Sequence, residues 1–154
     1  MHMRPVLDAA DVRTLMLAAR AEAEGARLEI SIAIVDEAGV LLALERLDGA
    51  RLHTPEAATL KARTAAIVRT ATASLQEQVQ ANPALLSFPG RMPLAGGVPI
   101  IHDGSVVGAI GSSGGKPEED EQVCAAVLRA FATLVGGQPE AGPGGRVRVA
   151  ATFR

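Results

Sequence analysis

Apolar positions along the chain change their spacing several times, and each change predicts a new element. Between Asp8, a residue type that suits a helix N-cap, and Gly25, a typical helix stop, apolar side chains recur at helical spacing. Residues 28–34 and 40–46 form two apolar runs around a turn, and the first run alternates isoleucine with smaller or polar residues. This pattern predicts a helix followed by an antiparallel hairpin.

A second helix, a second hairpin and a third helix follow. No glycine interrupts residues 55–80, which begin with Pro55, so we expect one helix here, with a break near Ser74. Residues 98–111 contain two apolar runs around an Asp-Gly pair, which favours a tight turn. Pro117 then opens an acidic first turn and a regular apolar stripe, which together predict the last helix.

Two segments rich in glycine and proline complete the pattern. Residues 83–97 form a long loop of the kind that covers a site or an interface. Residues 136–154 form a tail that could include a short terminal strand, so we expect one domain, residues 1–135, followed by this tail. Two hairpins with helices between them predict an α/β (α+β) fold in which helices flank a roughly five-stranded antiparallel sheet.

Composition narrows the classes of function. Aromatic residues make up 2% of the 154-residue chain and its formal net charge is -2, which argues against nucleic-acid binding. The single cysteine, Cys124, excludes an internal disulfide and a multi-cysteine zinc site. Neither a signal-peptide apolar region nor an apolar run of membrane-spanning length is present, so we expect a cytoplasmic protein without membrane contact.

Lys61 is the most informative polar residue. On a helical wheel it falls within an apolar stripe that includes Thr64 and Val68. Its stem could lie along the core while the ammonium reaches water or caps a carbonyl. Alternatively, it is a ligand-facing cation at a pocket or subunit interface, available for acid/base chemistry. Asp120 starts the buried stripe of the last helix, although its position in the first turn would also be explained by compensation of the helix dipole. The sequence leaves open whether Lys61 and Asp120 meet.

Two further places could carry chemistry. The run from Gly111 to Lys116, which includes Ser113 and Gly114, lies between a strand and a helix, so its backbone N–H groups could hold a carboxylate. Its spacing is not that of a phosphate-binding P-loop. Arg46 and Asp48 end the second strand, where a mutual surface pair is the simplest interpretation.

Two histidines are candidates for metal ligation. His53 precedes the Lys61 helix and His102 flanks the Asp-Gly turn. Either imidazole could bind haem iron or another metal, or simply face solvent.

Short motifs spread over residues 8–135 are specific in combination. The motif residues are Val35, Asp36, Gly39, Arg46, Asp48, Gly49, Lys61, Ala62, Arg63, Thr64, Ala65, Gly96, Gly97, Val98, Pro99, Ile100, Gly104, Gly108, Ala109, Ile110, Gly111, Ser113, Gly114, Gly115 and Asp120. With them the chain resembles the GlcG/HbpS-like family, whose members are described as haem-degrading or haem-binding and occur as the C-terminal part of PduO proteins.

The resemblance implies a profilin-like α/β/α sandwich that forms homo-oligomers, with ligand sites at subunit contacts. It also implies haem-linked or corrinoid-linked roles for some members. We therefore expect a small-molecule-binding protein that takes haem or a related tetrapyrrole at a subunit interface. The expected ligand-binding residues are Arg46, His53, Lys61, Gly97, Ser113 and Gly114, and the candidate iron ligands are His53, His102 and Met92.

Two alternatives stay open. A cofactor-independent enzyme of the isomerase or lyase type would hold a small anionic metabolite with Lys61 and Arg46, while Asp48 or Asp120 moves a proton. A pure assembly module would use its alanine-rich helices only for close packing between subunits.

Overall fold

The computed structural model of the chain describes residues 1–136, which form four α-helices, a short 3₁₀-helix and four β-strands. In chain order these are α1 (Ala9–Gly25), β1 (Ser31–Asp36), β2 (Leu41–Arg46), α2 (Thr54–Val68), α3 (Thr72–Ala81), the 3₁₀-helix (Pro83–Ser87), β3 (Gly97–His102), β4 (Ser105–Ser113) and α4 (Pro117–Gly136). Within these residues no helix is long and apolar enough to cross a membrane.

The strands form one antiparallel sheet in the order β2-β1-β4-β3. The described part of the chain therefore contributes four strands rather than the roughly five that the sequence predicted. Each hairpin supplies two of them. The tail segment that could add a strand lies outside the described residues, as does the whole predicted tail except Gly136.

Helices cover both faces of the sheet, which confirms the expected α/β/α sandwich. On one face, α1 and α4 pack against the sheet through large aliphatic side chains such as Leu15, Ile32 and Val127. On the other face, α2 packs through a layer made almost entirely of alanine. Small side chains bring the helix close to the sheet: a Cβ atom added at Gly111 would lie 2.0 Å from the carbonyl oxygen of Ala58.

Most of the predicted local signals are confirmed. Asp8 caps α1 by accepting hydrogen bonds from backbone N–H groups of the first turn. Asp103 and Gly104 have φ angles of 48° and 74°, which suit the primed turn that joins β3 to β4.

The helix predicted over residues 55–80 is divided earlier than near Ser74. Arg69 adopts a left-handed conformation with φ 59°, which ends α2, and α3 begins at Thr72. The Thr72 hydroxyl accepts a hydrogen bond from the Gly97 N–H at 2.8 Å. This bond ties the start of α3 to the start of β3.

Candidate functional site

Lys61 and Asp120 meet at the end of β4, where they connect α2 with α4. The Lys61 ammonium donates to Asp120 Oδ2 at 3.1 Å and to the Ser112 carbonyl oxygen at 2.9 Å. Lys61 is 5% exposed and Asp120 is 2% exposed. The lysine on the apolar stripe is therefore one half of a buried ion pair that spans the two helical layers.

Further hydrogen bonds hold the carboxylate. Asp120 Oδ1 accepts from the Ser112 hydroxyl at 3.1 Å and from the Gly115 N–H at 3.2 Å. Asp120 also lies in the first turn of α4, where the helix dipole favours a negative charge. A buried ion pair is tolerated when such additional bonds satisfy its polar atoms.

Glycines at the start of β3 make room for the pair. A Cβ atom at Gly96, whose φ is +113°, would lie 3.0 Å from Lys61 Nζ. A Cβ atom at Gly97 would lie 2.5 Å from the backbone carbonyl oxygen of Lys61. Gly97, a predicted ligand-binding residue, therefore allows the strand to approach α2, and its N–H is already bonded to Thr72.

A cavity of about 290 Å³ opens beside the ion pair. It lies between the loop before α2, the start of α3, the loop before β3 and the β4–α4 turn. Its lining residues are Arg51, His53, Lys61, Gln76, Leu94, Ala95, Ser113, Gly114, Gly115, Pro117 and Asp120. Five residues that the sequence singled out therefore share one cavity: His53, Lys61, Ser113, Gly114 and Asp120.

The groups around this cavity suit an anion. Lys61 donates two hydrogen bonds within residues 1–136, which leaves one of its three ammonium protons for a ligand. The charge of Lys61 is offset by Asp120, whereas Arg51 has no ion-pair partner among the described residues. His53 is exposed at the N-terminus of α2 and makes no capping hydrogen bond. The imidazole and the guanidinium are thus open to solvent and to a ligand.

Arg46 and Asp48 lie elsewhere. They line a separate groove of about 380 Å³ together with Arg20 and Glu45. The sheet explains the separation. Ser31 of β1 lies opposite Arg46 of β2 on one side and opposite Ser113 of β4 on the other. Arg46 and Ser113 are therefore two strand spacings apart, about 10 Å. The structure therefore brings Asp120, and not Asp48, to Lys61.

His102 and Met92 also lie away from the cavity lining. His102 ends the strand that Gly97 begins, about 16 Å along β3. Its ring meets Phe131 edge-on, with ring centres 6.1 Å apart. Met92 uses its backbone N–H to bond the Thr64 hydroxyl at 2.9 Å. The two candidate histidines are thus at opposite ends of the sheet.

Cys124 is a core residue beside the ion pair. Its thiol donates to the Gly96 carbonyl oxygen at 3.3 Å, and burial raises its pKa, so it stays protonated. Within residues 1–136, no group of three or more His, Cys, Asp or Glu side chains is placed to hold a metal ion. A metal that needed only one protein ligand, such as haem iron in its porphyrin, would remain compatible with the single imidazole of His53.

Sequence reasoning missed Arg51, Gln76 and Leu94. Arg51 lies in the same loop as His53, so its position near His53 could have been predicted from the sequence. Gln76 lies in the cavity wall only because α2 ends at Arg69 and α3 runs in a different direction. Its side-chain oxygen accepts a hydrogen bond from the Ala95 N–H at 2.9 Å. No local signal placed this residue beside Lys61.

Known proteins are similar to this chain in sequence and in fold. The family model described as haem degrading protein HbpS-like matches residues 7–129. Protein GlcG of Escherichia coli strain K12 is 34% identical over 114 residues, which cover 73% of this chain and 85% of GlcG. A double mutant of HbpS from Streptomyces reticuli superimposes with a TM-score of 0.80 at 30% identity, covering 85% and 90% of the two chains. The structure of a PduOC:haem complex matches with a TM-score of 0.76 at 28% identity, covering 81% and 94%.

Proposed function

The chain belongs to the HbpS-like family, and on that premise we propose that it binds haem or a related tetrapyrrole at a site that includes the Lys61–Asp120 cavity. One observation carries the proposal: an imidazole, a guanidinium and a buried ammonium converge on one open space, from His53, Arg51 and Lys61. An imidazole is an ordinary ligand of haem iron, and the two cations suit the propionate groups. The haem complex of the related PduOC structure supports the choice of ligand.

The size of the cavity indicates how much of a tetrapyrrole it takes. At about 290 Å³ it lies at the lower end of the range for small-molecule pockets, so it suits the propionate-bearing edge. Leucine side chains stand exposed at or next to its rim, where Leu52 is 84% and Leu94 is 51% accessible. Aliphatic side chains of this kind supply apolar contact for a macrocycle. We propose that His53 ligates the iron and that Arg51 and Lys61 hold the propionates.

A second copy of the chain would cover apolar surface at the edge of the sheet. Strand β2 is at the edge of the sheet within the described residues, and its Leu41, Leu42 and Leu44 are 41–43% exposed. Exposed apolar edge strands invite pairing with another chain. We propose a homo-oligomer that covers β2, which light scattering at micromolar concentration tests directly: a monomer would contradict it.

Absorbance titration with haemin tests the proposed ligand. We expect a saturable Soret shift at a fixed stoichiometry, and its loss or strong weakening in His53→Ala. The matched control is His102→Ala, which removes an imidazole far from the cavity and should leave the titration unchanged. A non-saturating titration, or a shift that depends on His102 instead of His53, would refute the assignment.

One observation favours a second function, an enzyme acting on a small anionic metabolite. Lys61 and Asp120 line the same cavity, so an anion held by Lys61 would lie beside a carboxylate able to accept a proton. In such a reaction Asp120 takes a proton from carbon and the solvent returns one. Proton NMR of 2-oxo and 2-hydroxy acids in D₂O would then show exchange that Asp120→Asn abolishes; absence of exchange would leave binding alone.

A further inference from the structure

A second cavity lies toward the C-terminal end of α2, one to two helical turns beyond Lys61. Its volume is about 290 Å³, and it is lined by α2, α3, the 3₁₀-helix and the loop after that helix, with one side open to solvent. Most of the lining is apolar, and it shares no residue with the Lys61–Asp120 cavity. The lining residues are Thr64, Ile67, Val68, Leu75, Gln78, Val79, Leu85, Phe88, Arg91 and Pro93.

The division of the predicted long helix creates this space. Because Arg69 ends α2 in a left-handed conformation, α3 departs at an angle and buries only its first residue, Thr72, completely. Leu75 and Val79 follow one turn apart on α3, and both remain half-buried on the cavity wall. Phe88 stands 61% exposed at the same cavity. Apolar surface left in contact with water in this way is characteristic of a binding site.

Arg91 gives the cavity its chemical character. It is half-buried, it is the only charged residue in the lining, and it has neither a hydrogen bond nor an ion pair with any side chain of residues 1–136. The Thr64 hydroxyl already donates to the Leu60 carbonyl oxygen and accepts from the Met92 N–H, and it makes no hydrogen bond with Arg91. A guanidinium beside apolar walls calls for an anionic partner with an apolar body.

We propose that this cavity binds an amphiphilic monocarboxylate, such as a medium-chain fatty acid. The carboxylate pairs with Arg91, while the hydrocarbon chain packs on Leu75, Val79 and Phe88. The volume of about 290 Å³ corresponds to about ten water-sized groups, which sets the ligand at about ten heavy atoms. Octanoate has this size and this charge. The site is independent of the tetrapyrrole proposal, since its residues are different.

Calorimetric titration of the full chain with octanoate tests the site, and octanol serves as the uncharged ligand of the same length. We expect saturable binding of one octanoate per chain, at least about tenfold tighter than octanol, because a hydrogen bond to a charged group supplies that preference. Arg91→Met should abolish the preference. The matched control is Arg63→Met, which removes an equally charged but exposed side chain of α2 that does not line the cavity.

Amide NMR shifts recorded during the same titration locate the ligand. Shifts concentrated at Leu75, Val79 and Phe88 support the proposal, whereas shifts concentrated at Gly114 and Gly115 would place octanoate in the other cavity and overturn it. Equal affinity for octanoate and octanol, or non-saturating binding, would also overturn it. This comparison of two ligands uses the unmodified protein, so the outcome does not depend on how well Arg91→Met folds.

Discussion

Replacing Lys61 by methionine should destabilise the protein far more than an ordinary surface substitution. Methionine keeps the length of the apolar stem, so the change in packing is small. It removes the ammonium, however, and leaves the Asp120 carboxylate 2% exposed with only the Ser112 hydroxyl and the Gly115 N–H as partners. An uncompensated charge in the interior costs about 3–5 kcal/mol, which is between about a hundredfold and a few thousandfold in the unfolding equilibrium.

Urea denaturation at a fixed protein concentration measures this cost. The midpoint of Lys61→Met should fall while the slope with denaturant stays unchanged, since the folded structure is retained. The control is Lys116→Met, the only other lysine of the chain, which is exposed and should change stability by less than about 0.5 kcal/mol.

A double-mutant cycle separates the ion pair from other effects. In Lys61→Met/Asp120→Asn the buried charge is gone and the amide oxygen still accepts from Ser112 and Gly115, so about 2 kcal/mol should be recovered relative to additivity. The reasoning would be refuted if Lys61→Met cost less than about 1 kcal/mol, or if the two single effects simply added.

The close approach of α2 and the environment of the buried thiol give two further predictions. Gly111→Ala would place a methyl group 2.0 Å from the Ala58 carbonyl oxygen, so we expect a loss of several degrees or more in the thermal midpoint, whereas Gly25→Ala, with no atom within 4 Å, should be nearly neutral. Burial raises the pKa of Cys124 in the folded state, so its contribution to stability is complete below the pKa of about 8.5 of an unfolded thiol and is lost as the pH rises above it. Between pH 8.5 and 10, urea denaturation should therefore show the free energy of unfolding of the wild type falling by up to about 1.4 kcal/mol per pH unit more than that of Cys124→Ala. An equal fall in the two proteins would contradict the burial argument.

Signals carried by neighbouring residues made much of the fold predictable. The Asp8 cap, the Asp-Gly turn at Asp103 and the acidic start of α4 act within one turn of the chain, so sequence alone was sufficient to place them. The division of α2 from α3 was misplaced because it depends on a left-handed arginine, Arg69, and arginine carries no particular preference for that conformation.

The buried face of α2 shows a second limit. The helical wheel placed Thr64 and Val68 on the buried stripe; Thr64 is fully buried, whereas Val68 is 39% exposed, and Ala58, Ala62 and Ala65 are fully buried as well. Alanine is a weak hydrophobic signal, so a layer built from it is hard to orient from sequence. Lys61 was nevertheless singled out, because a charged residue between apolar neighbours is a strong anomaly.

The partners of the site depend on tertiary structure. Asp120 is 59 residues from Lys61 in the chain, and only the register of β4 and the position of α4 bring them together. The same register separates Arg46 from Ser113 by two strands, which is why Arg46 lies outside the cavity that Lys61 and Ser113 line. Spacing along the sequence contains no information about either result.

Hydrogen–deuterium exchange with and without one equivalent of haemin tests the central claim most directly. If the tetrapyrrole occupies the Lys61–Asp120 cavity, protection should appear in the peptides covering residues 51–61 and 112–120, which carry its walls. Protection confined to residues 97–106, the hairpin of His102, or no protection at all, would contradict the account.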